Sequence, residues 1–295
     1  MNLTDGTVQS FRWVWRGRPI EAVYEELGSG APVLLLPAFS TVSSREEMRP
    51  LASRLALSGF ACTLVDWPGF GSSTRGRLDY GPDCYLHFLG DFAAATMPIG
   101  AAVVAAGHAS GYALRLGHQR PGLWRRIALL APTWRGPLPT VMGPHPKIYA
   151  AMRTLVGAPI IGEALYRVNT HSRVIAMMYR RHVYAEASRI TPRFVMNKRG
   201  HARRPGARFA SAAFVTGALD PLSDRSGFQA LLAPPPAPTF ILCGESTPPK
   251  SKAEMAAIPS SREVRVQWVA GSLGLYEEEA ESIVGIIAAF LAESG

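Results

Sequence analysis

A chain of 295 residues that is 47% hydrophobic can bury one large core, and no break in composition calls for a second independent domain. No stretch reaches the ~18 uninterrupted apolar residues of a membrane span, and Met1 to Ser10 has neither the basic flank nor the apolar run of a signal peptide, so a cytoplasmic chain is expected. The net charge of +9 has a location: between Trp134 and Arg208, 14 Lys or Arg stand against two acids, Glu163 and Glu186. Such a segment suits an anionic membrane surface or an acidic protein partner, which would place the chain peripheral to a membrane; nothing specifically indicates nucleic acid.

The segment Val8 to Trp15 alternates, with Phe11, Trp13 and Trp15 on one face, which is the period of a strand. Ile20 to Glu26 can pair with it through Arg16-Gly17-Arg18-Pro19, giving an antiparallel hairpin. From Val33 the pattern changes to short apolar runs: Val33 to Leu36, Ala61 to Val65, Ala101 to Ala106, Ile127 to Leu130, Thr239 to Cys243 and Val264 to Val269. Helical spacing separates or follows them, as in Met48, Leu51, Ala52 and Leu55, and in Ile283, Ile286, Ile287, Phe290 and Leu291. Strands alternating with helices predict a mostly parallel sheet covered on both faces.

The alternation stops at Pro132 and resumes at Pro238. The interval holds helix-like stretches at Pro146 to Val156 and Arg173 to Glu186, the basic excess, and a Pro-rich linker from Ala233 to Pro238. The predicted organisation is a core from 1–132 and 238–295, with a basic cap and linker at 133–237. Cys62, Cys84 and Cys243 have no metal-ligand spacing and read as reduced, buried residues. No phosphate loop, dinucleotide fingerprint or metal cluster is present, so no cofactor and no metal are expected.

Four motifs stand out. They are Leu36-Pro37-Ala38-Phe39-Ser40 after a strand; Asp66-Trp67-Pro68-Gly69-Phe70-Gly71-Ser72-Ser73; Ala106-Gly107-His108-Ala109-Ser110-Gly111 between a strand and a helix; and Gly244-Glu245-Ser246-Thr247-Pro248-Pro249, followed downstream by Gly271-Ser272-Leu273-Gly274. Together they resemble the α/β-hydrolase superfamily from Val33 to Leu291, which implies an eight-stranded α/β-hydrolase sheet with an inserted helical cap. The Pro37-to-Thr41 run, Pro132 to Pro139 and Thr247 to Met255 also resemble hydrolase-like proteins of cyanobacteria and plastids.

The resemblance locates a catalytic triad, and this sequence departs from it three times. Aligned on Gly107, His108 and Gly111, the nucleophile position is Ala109, whose methyl group cannot attack a carbonyl. Thr247 stands at the acid position and cannot stabilise an imidazolium as a carboxylate does. Ser272, or Leu273 after a one-residue slip, stands at the histidine position, and no histidine follows His201. Ser110 is the hydroxyl nearest the elbow, so a displaced Ser110 nucleophile is one alternative. A second is non-triad chemistry at an oxyanion hole made by the N–H groups of Phe39 and Ser110.

The leading expectation is a hydrolase-like protein that binds a small apolar molecule or a partner, with Phe39, Ser40, Ser110 and Trp134 around the pocket. His108 reads as a packed histidine, Asp66 as a loop-ordering residue and Asp220 as a turn or helix cap. Trp134 and Arg135 either floor a pocket or anchor the cap. Glu245 and Lys250 flank the acid position and are expected at the surface.

Overall fold

The computed structural model describes residues 5–293, so the first four positions of the signal-peptide reading lie outside the described residues. Eight strands form one sheet in the order β1-β2-β4-β3-β5-β6-β7-β8. They are β1 (Thr7–Trp15), β2 (Arg18–Leu27), β3 (Ala31–Leu36), β4 (Phe60–Val65), β5 (Ala101–Ala106), β6 (Trp124–Leu130), β7 (Thr239–Gly244) and β8 (Val264–Val269). β2 runs antiparallel to both of its neighbours, and all other pairs are parallel. The hairpin turn is tighter than the sequence suggests: Arg16 and Gly17 both adopt left-handed backbone, and Arg18 and Pro19 already pair within the ladder.

The continuous apolar runs are the central strands. β5 is fully buried along its length, as a strand covered on both faces must be. The covering helices are α1 (Arg49–Leu57), α2 (Pro82–Thr96), α3 (Ala109–Gln119), α11 (Pro249–Ala256), α12 (Leu275–Glu278) and α13 (Ala280–Ala292), and between β6 and β7 the chain is helical: α4 (Pro137–Met142), α5 (Pro146–Gly157), α6 (Ile160–Asn169), α7 (Ser172–Met178), α8 (Pro192–Ala202), α9 (Ala207–Val215) and α10 (Arg225–Ala230). The expected helix at Arg173 to Glu186 ends early. α7 gives way to a wide turn at Tyr179–Val183, and Tyr184 is extended.

The insert does not stand apart as one unit. α9 and α10 send Ala210, Ala213, Phe214 and Phe228 into the main core, whereas α7, the turn that follows it and α8 build a small second core of Ile175, Tyr179, Tyr184, Val195 and Ala202 over Val42. Cys62, Cys84 and Cys243 are free and buried, and burial pushes the Cys62 thiol up to about 12. No single helix among the described residues is long and apolar enough to cross a membrane.

Charge also docks the insert. The short helical turn Arg45–Met48 joins Arg45 to the sheet side and Glu46 and Glu47 to α8 through their ion-pair partners. Arg45 meets Asp66 at 2.6 Å and Glu25 at 3.6 Å, while Glu47 meets Lys198 of α8 at 3.1 Å. Lys198 is buried and also meets Glu277 at 2.9 Å, with the rings of Tyr179 and Phe194 against its ammonium. Burial disfavours its charge, but Glu277 and Glu47 outweigh that and hold its pKa above the usual lysine value. Two carboxylates share one ammonium here, so burial pushes Glu47 above the usual carboxylate range, with Lys198 opposing and Glu277 adding to the rise.

Lys198→Met is expected to cost about 3–5 kcal/mol, because it leaves buried carboxylate without its partner. Glu47→Gln should be tolerated. The folded chain binds the Glu47 proton more tightly than the unfolded chain does, so the Glu47 contribution to stability grows as pH falls from neutrality towards its ordinary value of 4.5. Denaturant midpoints across that range should therefore rise less steeply on acidification in Glu47→Gln than in the parent chain.

Candidate active site

Strand β5 passes into α3 through one left-handed residue, and it is Gly107, with φ +52°. In a strand-to-helix elbow that strained residue is the one whose side chain projects. Ala109 lies two residues later, within the first turn of α3, and is fully buried. Motif similarity and backbone geometry thus select different residues, and neither Gly107 nor Ala109 carries a nucleophile. A Cβ on Gly107 would stand 2.9 Å from Ala38 Cβ and 3.5 Å from Thr133 Oγ1, so the space above the turn is already closed.

Ser110 faces the wrong way for either role suggested by sequence. Its hydroxyl donates to Ala105 O at 3.2 Å, and its N–H donates to Gly107 O at 3.2 Å, so the N–H expected in an oxyanion hole is spent within the turn. Phe39 is likewise no pocket wall. It stacks on Trp67 at 4.9 Å and meets Tyr85 edge-on at 4.8 Å, within an aromatic cluster that includes Phe70 and Tyr112. The polar ends of that cluster are satisfied: Trp67 donates to Pro37 O, Tyr85 to Pro68 O and Tyr112 to Leu219 O. Ser40 accepts from Val42 N at 3.2 Å and shapes its own turn.

The other two positions picked out by the motifs, Thr247 and Ser272, do come together. The Ser272 hydroxyl donates to Ser246 O at 3.2 Å, beside Thr247, and also lies 3.3 Å from His182 O of the insert. Thr247 is buried, with no hydrogen-bond partner for its hydroxyl. The wide turn of the insert covers this corner, since Gly274 N donates to Val183 O at 2.8 Å. A side chain added at Gly274 would press on Val183 at 2.8 Å.

The Asp66 motif behaves as expected. Its buried carboxylate accepts from Arg45 N at 2.6 Å and Ser72 N at 2.7 Å besides the Arg45 guanidinium. Gly71, left-handed at φ +51°, is required because a Cβ there would collide with that carboxylate.

Sequence reasoning missed one cluster. His108 Nε2 lies 3.2 Å from Asp220 Oδ1, and His108 Nδ1 lies 2.8 Å from Thr133 Oγ1. With the proton on Nε2, the imidazole donates to Asp220 and accepts from the threonine hydroxyl, which is a hydroxyl–imidazole–carboxylate chain. Asp220 also accepts from Gly136 N at 2.8 Å, so it ties the loop after α9 to the entrance of the insert as well as to the elbow. Thr133, half-buried, borders a small cavity of about 20 Å³, room for a single water. Trp134 borders that cavity but is buried and stacked on Phe228 at 4.5 Å, and Arg135 pairs with Glu254 at 2.6 Å, so both anchor the insert. Lys250 lies at the surface and donates to Val141 O at 2.7 Å, and Glu245 is exposed.

A larger cavity, about 390 Å³, lies away from the elbow, lined by Ser44, Glu46, Arg49, Asn197, Lys198 and His201. Its charges are paired internally: His201 lies 3.2 Å from Glu46, and that hydrogen bond, against the opposing effect of burial, holds the Glu46 carboxyl down to about 2. Among the described residues no three His, Cys, Asp or Glu side chains converge to hold a metal ion.

The antiparallel second strand, the parallel run that follows, the left-handed elbow after β5 and the helical insert after β6 define an α/β-hydrolase architecture. The sequence model described as Alpha/beta hydrolase family matches residues 33–281, and the chain belongs to that family. Among solved structures it is similar to an esterase from Thermogutta terrifontis (TM-score 0.71, 18% identity, covering 96% of this chain and 98% of that one). It is also similar to a haloalkane dehalogenase from Agrobacterium tumefaciens (TM-score 0.68, 17% identity, 99% and 98%) and to a bromoperoxidase from Bacillus anthracis (TM-score 0.71, 17% identity, 97% and 100%). No curated protein sequence matches the chain significantly.

His108→Ala is expected to destabilise the protein by about 1–3 kcal/mol, since Asp220 and Thr133 lose the group between them in a largely buried setting. Thr133→Val should cost less. Urea unfolding of the two variants checks the ranking, and equal midpoints would show that the histidine clasps nothing.

Proposed function

We propose that this protein uses the α/β-hydrolase scaffold for binding, with the inserted helices as its contact surface, and does not hydrolyse esters by the family's nucleophile, acid and base. The observation that carries this is Gly107: the residue held in the strained elbow has no side chain, and Ala38 and Thr133 close the space one would enter. Under either register, Gly107 or Ala109, the nucleophile is gone, and Thr247 and Ser272 stand in place of the acid and base. An unassisted hydroxyl such as that of Ser110 is a poor nucleophile, and here it is bonded back to the strand. The aromatic cluster around Phe39 favours a partner on the surface over a small apolar molecule beside the elbow.

One observation supports a second reading. The Thr133–His108–Asp220 chain has the donor order of a nucleophile, base and orienting acid, and it sits at the strand ends of a fold shared with the neighbours named as esterase, dehalogenase and bromoperoxidase. The single-water cavity at Thr133 weighs against a substrate reaching it. A fluorophosphonate probe separates the two. The protein should stay unlabelled, and short-chain p-nitrophenyl esters should turn over at the uncatalysed rate. Stoichiometric labelling at Thr133 that disappears in His108→Ala would establish the second reading, and labelling at Ser110 would restore a serine hydrolase.

A further inference from the structure

Helices α5 and α6 present an inverted pattern. Their inward residues are the polar-tipped ones: Tyr149 is buried and donates to Gly143 O at 2.6 Å, Tyr166 is buried with its hydroxyl 3.1 Å from Ser211, and Arg153 donates to Thr216 at 3.1 Å. Their outward residues are aliphatic. On α5, Ile148, Met152 and Leu155 recur at i, i+4 and i+7; on α6, Ile160, Ile161, Ala164, Leu165 and Val168 share one side. Ile160 is 87% exposed, Val168 69% and Ile161 60%. Val141 and Met142 of α4 are exposed as well. Scattered exposed aliphatics need no explanation, but two consecutive helices with aligned outer stripes do.

The two helices together have the length and composition of a membrane span, yet they meet at a bend of 104° at Ala158-Pro159. Gly162 permits that corner, because a Cβ there would collide with Val156 O. A sharp apolar corner cannot cross a bilayer as one rod, but it can lie in the interface with its apex, Ile160, pointing into the acyl region. Charge specifies the lipid. From Pro137 to Arg181 there is a single acid, Glu163, whose oxygens are held by Arg167 and Arg208; with Arg153 turned inward, Lys147, Arg173, Arg180 and Arg181 remain as exposed cations. Arg173, Arg180 and Arg181 are exposed on and just after α7, interleaved with exposed Met177 and Met178.

We propose that the outer face of α5 and α6, flanked by these cations, is a membrane-docking surface that seats in the interface of a bilayer carrying anionic headgroups. It deepens the assignment of the insert as the contact surface by naming its partner. A second copy is the poorer occupant, since pairing this face with itself would bring two like-charged arrays together.

The test is sedimentation of the full chain with phosphatidylcholine vesicles, with and without phosphatidylglycerol, at low and high salt. Binding to the mixed vesicles is expected, weakening with salt and falling ~tenfold or more in Ile160→Asp/Val168→Asp. Both side chains are exposed, so that variant should keep the parent's circular dichroism and Tm. Because the three native cysteines are buried, Ile160→Cys can carry a polarity-sensitive dye, whose emission should shift blue on the mixed vesicles. Failure to sediment with mixed vesicles would overturn the proposal. So would vesicle binding untouched by the two aspartates, which would place the lipid contact on another surface, or a dimer in solution that those substitutions dissolve. Vesicle binding by a chain that also labels with fluorophosphonate would keep this surface and remove only the non-enzymatic assignment.

Discussion

The Asp66 carboxylate is buried with no contact to solvent and is held by three donors, two from Arg45 and one from Ser72. An ionised group in that position is tolerable only when its lone pairs are filled. The consequence runs outward. Arg45 is fixed, so the helical turn that contains it is fixed, and Glu46 and Glu47 are presented to α8 at a set height. The insert is therefore seated on the sheet by consecutive residues of opposite charge as much as by the small apolar core over Val42. Removing water from such a chain of charges strengthens each link only while every link is present.

With the insert held this way, the cleft edge of the sheet is crowded. The aromatic rings around Phe39 occupy one side of the elbow, Ala38 and Thr133 meet above Gly107, and the Tyr179–Val183 turn covers Ser272 and Gly274. Adjacent strands β5 and β6 both leave the sheet through left-handed residues, Gly107 and Ala131, which follow the paired residues Ala106 and Leu130. Ala131 adopts this backbone despite its Cβ, a strain of the kind found at functional strand ends. At both strand ends the left-handed position is held by a small residue, glycine in one and alanine in the other.

Much of the sheet was legible because burial on both faces imposes continuous apolar runs, and each of the six runs from Val33 onward became a strand. The Asp66 loop was legible for a similar reason: Gly69 and Gly71 are residues that backbone geometry demands. The elbow was harder to place. Gly107-His108-Ala109-Ser110-Gly111 looks like a motif centred on Ala109, but residue similarity does not encode φ. The available signal was the end of the apolar run at Ala106, which puts the turn at the next residue. Thr133, His108 and Asp220 lie far apart in sequence, and nothing in their local patterns announces that they meet. Lys198 read as one cation among many in a basic segment, although it is the buried one. The outer stripes of α5 and α6 were hidden for the opposite reason: an aliphatic stripe on a helix ordinarily means a core.

Asp220 receives Gly136 N, and His108 joins the same carboxylate to Thr133, so the stretch from Thr133 to Asp220 is closed at its base just beyond β6, before α10 leads the chain on to β7. Everything between is topologically a closed excursion. A closed excursion can change length or sequence at its far end with little added closure entropy and without moving the strands from which it springs. The far end is α5 and α6. Changes there leave the strands undisturbed, and the His108 imidazole is the clasp that closes the base of the excursion.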